Sequence, residues 1–116
     1  MDILSLSGFW KIKSSRIRNE DGSWFEDAIS GGRVAFSSGE NFCIFFRSAQ
    51  GTWGYSGTYR FDGEKLFLTV DACTAEDVEG CTLERDIEVL NSDAFIYRGV
   101  EFHTGRVFEA QLCRVG

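Results

Sequence analysis

From Trp53 to Phe61 the chain reads WGYSGTYRF and alternates without a break: Trp53, Tyr55, Gly57, Tyr59 and Phe61 share one parity, Gly54, Ser56, Thr58 and Arg60 the other. A strand sends alternate side chains to opposite faces, so the stretch predicts one strand carrying four rings and a glycine on a single face. The same period of two recurs along the chain. In CTLERDIEVL, Cys81, Leu83, Arg85, Ile87 and Val89 oppose Thr82, Glu84, Asp86 and Glu88, and the apolar set is assigned inward although it holds one charge. LFLTV sets Leu66, Leu68 and Val70 inward and leaves Phe67 outside or covered by a loop. In RVFEAQLCRV, Phe108, Ala110 and Leu112 are assigned inward because Glu109 and Gln111 cost more to bury. Near the start Trp10, Ile12, Ser14 and Arg16 are in phase.

Turn signals separate these runs about every ten residues, the spacing of an all-β sandwich or barrel. They are NEDG (19–22), SGG (30–32), SSGE (37–40), DG (62–63), NSD (91–93) and HTG (103–105). Between them lie predicted strands at 9–18, 23–28, 32–37, 41–48, 53–61, 64–71, 81–90, 94–100 and 106–115. Asp62-Gly63, flanked by alternating runs, predicts a hairpin with a type I′ turn. No segment has a sustained helical period, and TAEDVEG (74–80) is the best place for a helical turn. The fold expected is all-β: an antiparallel up-and-down β-barrel of eight to nine strands, in one domain over residues 1–116. Closure also removes exposed sheet edges.

Composition fits this picture, with eleven Phe, thirteen Gly and no Pro. The formal charge of -6 argues against nucleic acid or an anionic membrane, either of which needs a basic face, and leaves a small molecule or another protein as partner. The start MDILSLSGFW has neither a basic leader region nor a long apolar run, so no signal peptide or membrane anchor is expected, and the location expected is cytoplasmic. Cys43, Cys73, Cys81 and Cys113 match no metal or redox motif. Buried reduced thiols are the expectation, with Cys73 and Cys81, which flank an acidic loop, the pair to test for a disulfide. No metal and no cofactor is expected.

LSGFWKIKS, with Gly8-x-Trp10 opening a strand, resembles the G-x-W signature of the lipocalin and calycin superfamily. The later order DGSW, GGRVAFSSGE, GYSGTYRFDGEKL, LERDIEVL and a closing LCRV resembles more specifically the short bacterial lipocalin-like domains, over nearly the whole chain. That resemblance implies an eight-stranded barrel, open at one end, with a ligand cavity inside. It implies that Trp10 plugs the floor and that Arg114 packs across its indole, joining cation–π attraction to donors for nearby carbonyls, so both residues are structural. The chain is shorter than secreted lipocalins and lacks an evident C-terminal helix and a clear disulfide pattern, which argues against a large, hormone-sized cavity. The R-x-Y carboxylate clamp of the fatty-acid-binding relatives is missing from the last strand.

Two features carry candidate chemistry. Rings of this size bury ~150–250 Å² each, so the four rings of WGYSGTYRF need no explanation beyond a core. Gly57 among them marks either a bend or bulge where the barrel coils, or a vacancy bordered by Tyr55 and Tyr59. Arg85 cannot sit uncompensated on an apolar face. It enters an internal salt bridge or water cluster, or a bulge turns it outward, or it meets a carboxylate, enolate or phenolate of a ligand together with a tyrosine hydroxyl. Arg16 and Arg47 could do the same if their strands are phased inward. His103, the only histidine, falls in a turn and reads as a solvated loop residue rather than a general base. There is no G-x-S-x-G, glycine-rich phosphate loop, H-E-x-x-H or C-x-x-C.

The function expected is binding of a small hydrophobic or amphipathic molecule, anions included, inside the barrel. Arg85, Tyr55 and Tyr59 are the candidate polar contacts, and Trp53 and Phe61 the candidate walls. Two alternatives remain: a cofactor-independent isomerase or cyclase in the same cavity, and an acidic protein-interaction module with a filled core, resting on VDACTAEDVEGCTLERDIE.

Overall fold

A computed structural model of the chain describes residues 5–26, 30–48, 51–102 and 104–115. The elements in chain order are β1 (Gly8–Arg18), β2 (Trp24–Glu26), β3 (Ser30–Phe36), β4 (Asn41–Ser48), β5 (Gly51–Phe61), β6 (Lys65–Cys73), β7 (Thr82–Asn91), β8 (Ala94–Val100) and β9 (Val107–Arg114). A single 3-10 turn, Glu76–Val78, sits between β6 and β7, inside the acidic segment where a helical turn is predicted. From β3 to β9 each strand pairs antiparallel with the next, β3 pairs with β1, and β1 pairs with β9. The result is a closed eight-stranded antiparallel barrel, with β2 as a short ninth strand along the second half of β1. The all-β barrel is thus the fold the alternation predicts. Residues 27 and 28 of the predicted strand 23–28, and His103, lie outside the described residues.

One end of the barrel is packed shut. Trp10, Leu66, Leu68, Val70 and Phe95 are fully buried, each contributing about 1.5–3 kcal/mol by leaving water. The Trp10 indole meets Phe95 edge-on at 4.7 Å and donates from Nε1 to the Leu6 carbonyl at 2.8 Å. Arg114 lies over the same indole with its guanidinium carbon 4.2 Å from the ring centroid. Its nitrogens donate to the carbonyls of Ser5, Ser7 and Ser92, and Nε reaches Asp93 at 3.2 Å. Outside, Phe67 is covered by Arg60, 4.7 Å from its ring centroid.

Four local expectations need correction. The phase of β1 changes at a bulge between Ile12 and Ser14, so Trp10 and Ile12 face inward but beyond the bulge Ser15 and Ile17 do, while Ser14 and Arg16 turn out. An extra residue flips every later side chain to the other face. The hairpin between β5 and β6 is present, but its turn is not type I′: Gly63 has φ 103° while Asp62 is not among the positive-φ residues. Asp62 instead caps the turn, its carboxylate accepting from the Glu64 and Lys65 amides. Val89 keeps the inner parity opposite Phe95 but is 47% exposed, near the end of β7 where the ladder with β8 becomes irregular. The four cysteines are free thiols, and Cys43 points to solvent rather than into the core.

Candidate functional site

Above the packed floor the barrel encloses a cavity of about 490 Å³. It is within the range of small-molecule sites. An interaction module with a filled core therefore loses its premise. Ile12, Val34, Phe36, Ile44 and Leu112 line its apolar side, and Trp53, Phe25, Phe102 and Arg106 stand where the strand connections approach it. Cys73, the register partner of Tyr55, also faces the space.

Arg85 enters this space from β7 and is 6% exposed. Its neighbour on β8 is Gly99, and the side chain runs over that glycine towards β9: a Cβ on residue 99 would sit 2.5 Å from Arg85 Cδ and 2.7 Å from Nη1. Nε donates to the Tyr97 hydroxyl at 3.1 Å, and Nη1 donates to the carbonyls of Glu84 at 3.1 Å and Val100 at 3.5 Å. The Phe108 and Tyr97 rings lie 5.0 and 5.6 Å from the guanidinium carbon. Among the described residues no carboxylate pairs with it. The internal salt bridge and the outward-turning bulge foreseen for Arg85 are thus not what the barrel uses; neutral oxygens and ring faces hold the charge.

Tyr55 completes the cluster. Its ring stands edge-on to Phe42 at 5.8 Å and its hydroxyl faces Tyr97 and Arg85. Burial, reinforced by Tyr97 and only partly opposed by Arg85, pushes this hydroxyl well above the usual phenol range, so it stays a neutral donor. Burial works against the charge of Arg85, but Tyr97 and Tyr55 outweigh it and the guanidinium stays ionised. The Arg85 cluster therefore offers a buried positive charge and two phenolic hydroxyls against a largely apolar wall, while Glu101 and Arg106 also line the cavity from the β8–β9 connection. Such a set is suited to binding and orienting an anionic or strongly polarised oxygen.

The residues singled out from the sequence separate into two groups. Arg85, Tyr55 and Trp53 line the cavity. Tyr59 and Phe61 do not: they pack against the floor, where Tyr59 meets Phe36 at 4.9 Å and donates its hydroxyl to the Ser37 carbonyl at 2.9 Å. Gly57 is no vacancy. A Cβ there would run into the backbone of β6 at the Thr69 carbonyl, beside the shift in register where Asp71 is left unpaired. Arg16, turned out by the β1 bulge, pairs with Glu109 at 2.6 Å and covers Trp24, and Arg47 is exposed. Tyr97 and Ser15 were missed. Tyr97 is legible as the in-phase tyrosine two residues before Gly99 in AFIYRGV, and Ser15 through the change of apolar parity between Ile12 and Ile17. Among the described residues no group of three or more His, Cys, Asp or Glu is placed to hold a metal.

No protein-family model matches the sequence, and no curated protein matches it either. Among solved structures the chain is similar to a redesigned β-barrel, over 96% of this chain and 92% of that one, at 14% identity and a TM-score of 0.56. It is also similar to a de novo designed fluorescence-activating β-barrel, over 94% and 93% of the two chains, at 20% identity and a TM-score of 0.53. A further redesigned β-barrel, matched over 94% and 98% at 17% identity and a TM-score of 0.48, is bound to the dye DFHBI. The first two likenesses are of fold: a closed antiparallel barrel.

Proposed function

We propose that the barrel binds a small amphipathic molecule, its apolar body in the 490 Å³ cavity and an anionic or electron-rich oxygen against Arg85, Tyr55 and Tyr97. The observation that carries this reading is Arg85, a buried guanidinium that faces the cavity without a carboxylate partner. Burying an ion costs several kcal/mol unless something compensates it, and the ligand's oxygen supplies the missing counter-charge. The chain is read on the same footing as a short lipocalin-like domain. What supports that is the G-x-W pair Gly8 and Trp10 closing the floor under Arg114, across from the open end.

Calorimetric titration tests the proposal with naphthalene-2-carboxylate and the neutral 2-methylnaphthalene, on the native chain and on Arg85→Met. The expected result is that the variant loses about tenfold or more for the acid and little for the hydrocarbon. Equal affinity of both proteins for the acid removes the reading. Native mass spectrometry of the protein as purified then looks for the resident molecule.

A further inference from the structure

Besides Ser48 at the end of β4 and Glu101, Thr104 and Arg106 in the β8–β9 connection, one more polar position faces the cavity, from across β9. The bulge in β1 turns Ser15 inward, where it is 5% exposed and lines the cavity, and its hydroxyl makes no hydrogen bond with any described residue. Ser15 pairs with Ala110 on β9, and Ala110 pairs with Tyr97 on β8. Ser15 and Tyr97 thus flank Ala110 on one inner row, their backbones two strand spacings or roughly 10 Å apart. Ala110 is too short to rise between them, and the neighbouring row brings Ile17 and the Phe108 ring alongside. The cavity wall there is an apolar strip with a hydrogen-bonding station on each side: the Arg85, Tyr55 and Tyr97 cluster on one, a lone hydroxyl on the other.

The barrel itself gains nothing from that hydroxyl. The hydroxyl borders the cavity and is open to it, since among the described residues no fully buried side-chain oxygen lacks a partner, and alanine would fill the position at little cost to the barrel. A ligand with one polar head and an alkyl tail would shut that hydroxyl away from water and return no hydrogen bond, which costs free energy. We infer that the ligand is a rigid, flat molecule polar at both ends, an aromatic acid carrying a hydroxyl or carbonyl oxygen at its far edge, with the acid at Arg85 and the second oxygen at Ser15. This rests on the anion-binding reading above and adds to it the second contact and the shape.

The test uses two matched pairs of acids of different length: naphthalene-2-carboxylate with its 6-hydroxy derivative, and biphenyl-4-carboxylate with its 4′-hydroxy derivative. Each is titrated into the native chain and into Ser15→Ala. In at least one pair the hydroxylated acid binds the native chain about 3–10-fold more tightly than its parent, the range of one neutral hydrogen bond. The advantage vanishes in Ser15→Ala, whose affinity for the parent acid and whose denaturation midpoint stay unchanged. If the parents bind and neither hydroxyl adds affinity, or if the advantage survives in Ser15→Ala, the two-ended ligand is overturned and the anion-binding reading stands. If none of the four acids binds the folded protein, both fall together.

Discussion

Arg85 lies across Gly99, and the absence of a side chain on β8 is what lets the guanidinium reach Tyr97, the Val100 carbonyl and the Phe108 ring. Gly99→Ala places a methyl where the Arg85 stem runs, and the arginine is the part that must move. Stability should fall by about 1–3 kcal/mol, the usual cost of an added methylene in a packed interior. Affinity for an anionic ligand should fall more steeply than affinity for a neutral one of the same shape. Urea denaturation and paired titrations measure the two effects separately.

Arg85→Met should leave the empty protein as stable as the native chain, or more stable by as much as about 2 kcal/mol, because an apolar side chain of similar length removes a buried charge. A midpoint shift towards instability would make Arg85 a structural residue. Gain in stability with loss of anion binding is the pattern expected of a group kept for the ligand.

Gly57→Ala tests the other close approach. Here the obstacle is backbone, the Thr69 carbonyl of β6, which cannot rotate away as a side chain can. The loss should reach about 3 kcal/mol, the upper part of the overpacking range. Because Gly57 borders the floor rather than the cavity, the fraction that remains folded should bind as the native protein does. A mild effect on stability would mean that β6 can give way at its register shift.

Acid should act through Glu109, whose side chain is 12% exposed between Arg98 and Arg16. Burial works to raise its pKa, but the hydrogen bonds from the two guanidinium groups outweigh it and hold the carboxyl below the usual glutamate range. A carboxyl that ionises more readily folded than unfolded contributes its full stability above the ordinary glutamate range and loses it as pH falls through the depressed folded value. Glu109→Gln should cost about 1–2 kcal/mol at neutral pH and flatten the acid limb of the stability profile. Denaturation midpoints compared at neutral and at acidic pH check the sign; parallel limbs in the two proteins would exclude Glu109 as the group responsible.

The barrel was legible because its strands alternate, and alternation is a local property: Leu66, Leu68 and Val70, or Ile87 opposite Glu88, declare their faces within a few residues. Arg85 was legible for the same reason, as a charge on the wrong parity. What escaped depends on neighbours distant in sequence. The bulge that turns Ser15 in and Arg16 out is set by the register between β1 and β9, and Gly57 is fixed by where β6 crosses it. Tyr59 shares a parity with Tyr55 but stands four residues nearer the floor, and parity alone does not carry depth along a barrel axis.

The pairing of β1 with β9, and the hold of Arg114 on the carbonyls of Ser5 and Ser7, join residues from 91 to 109 positions apart. During synthesis the sheet therefore grows with the outer edge of β1 unsatisfied and Trp10 without its cover until the last strand has left the ribosome. An open, aromatic-rich sheet is prone to pair with other chains. Contacts of such long sequence separation also place folding among the slow β topologies, on the order of milliseconds to seconds.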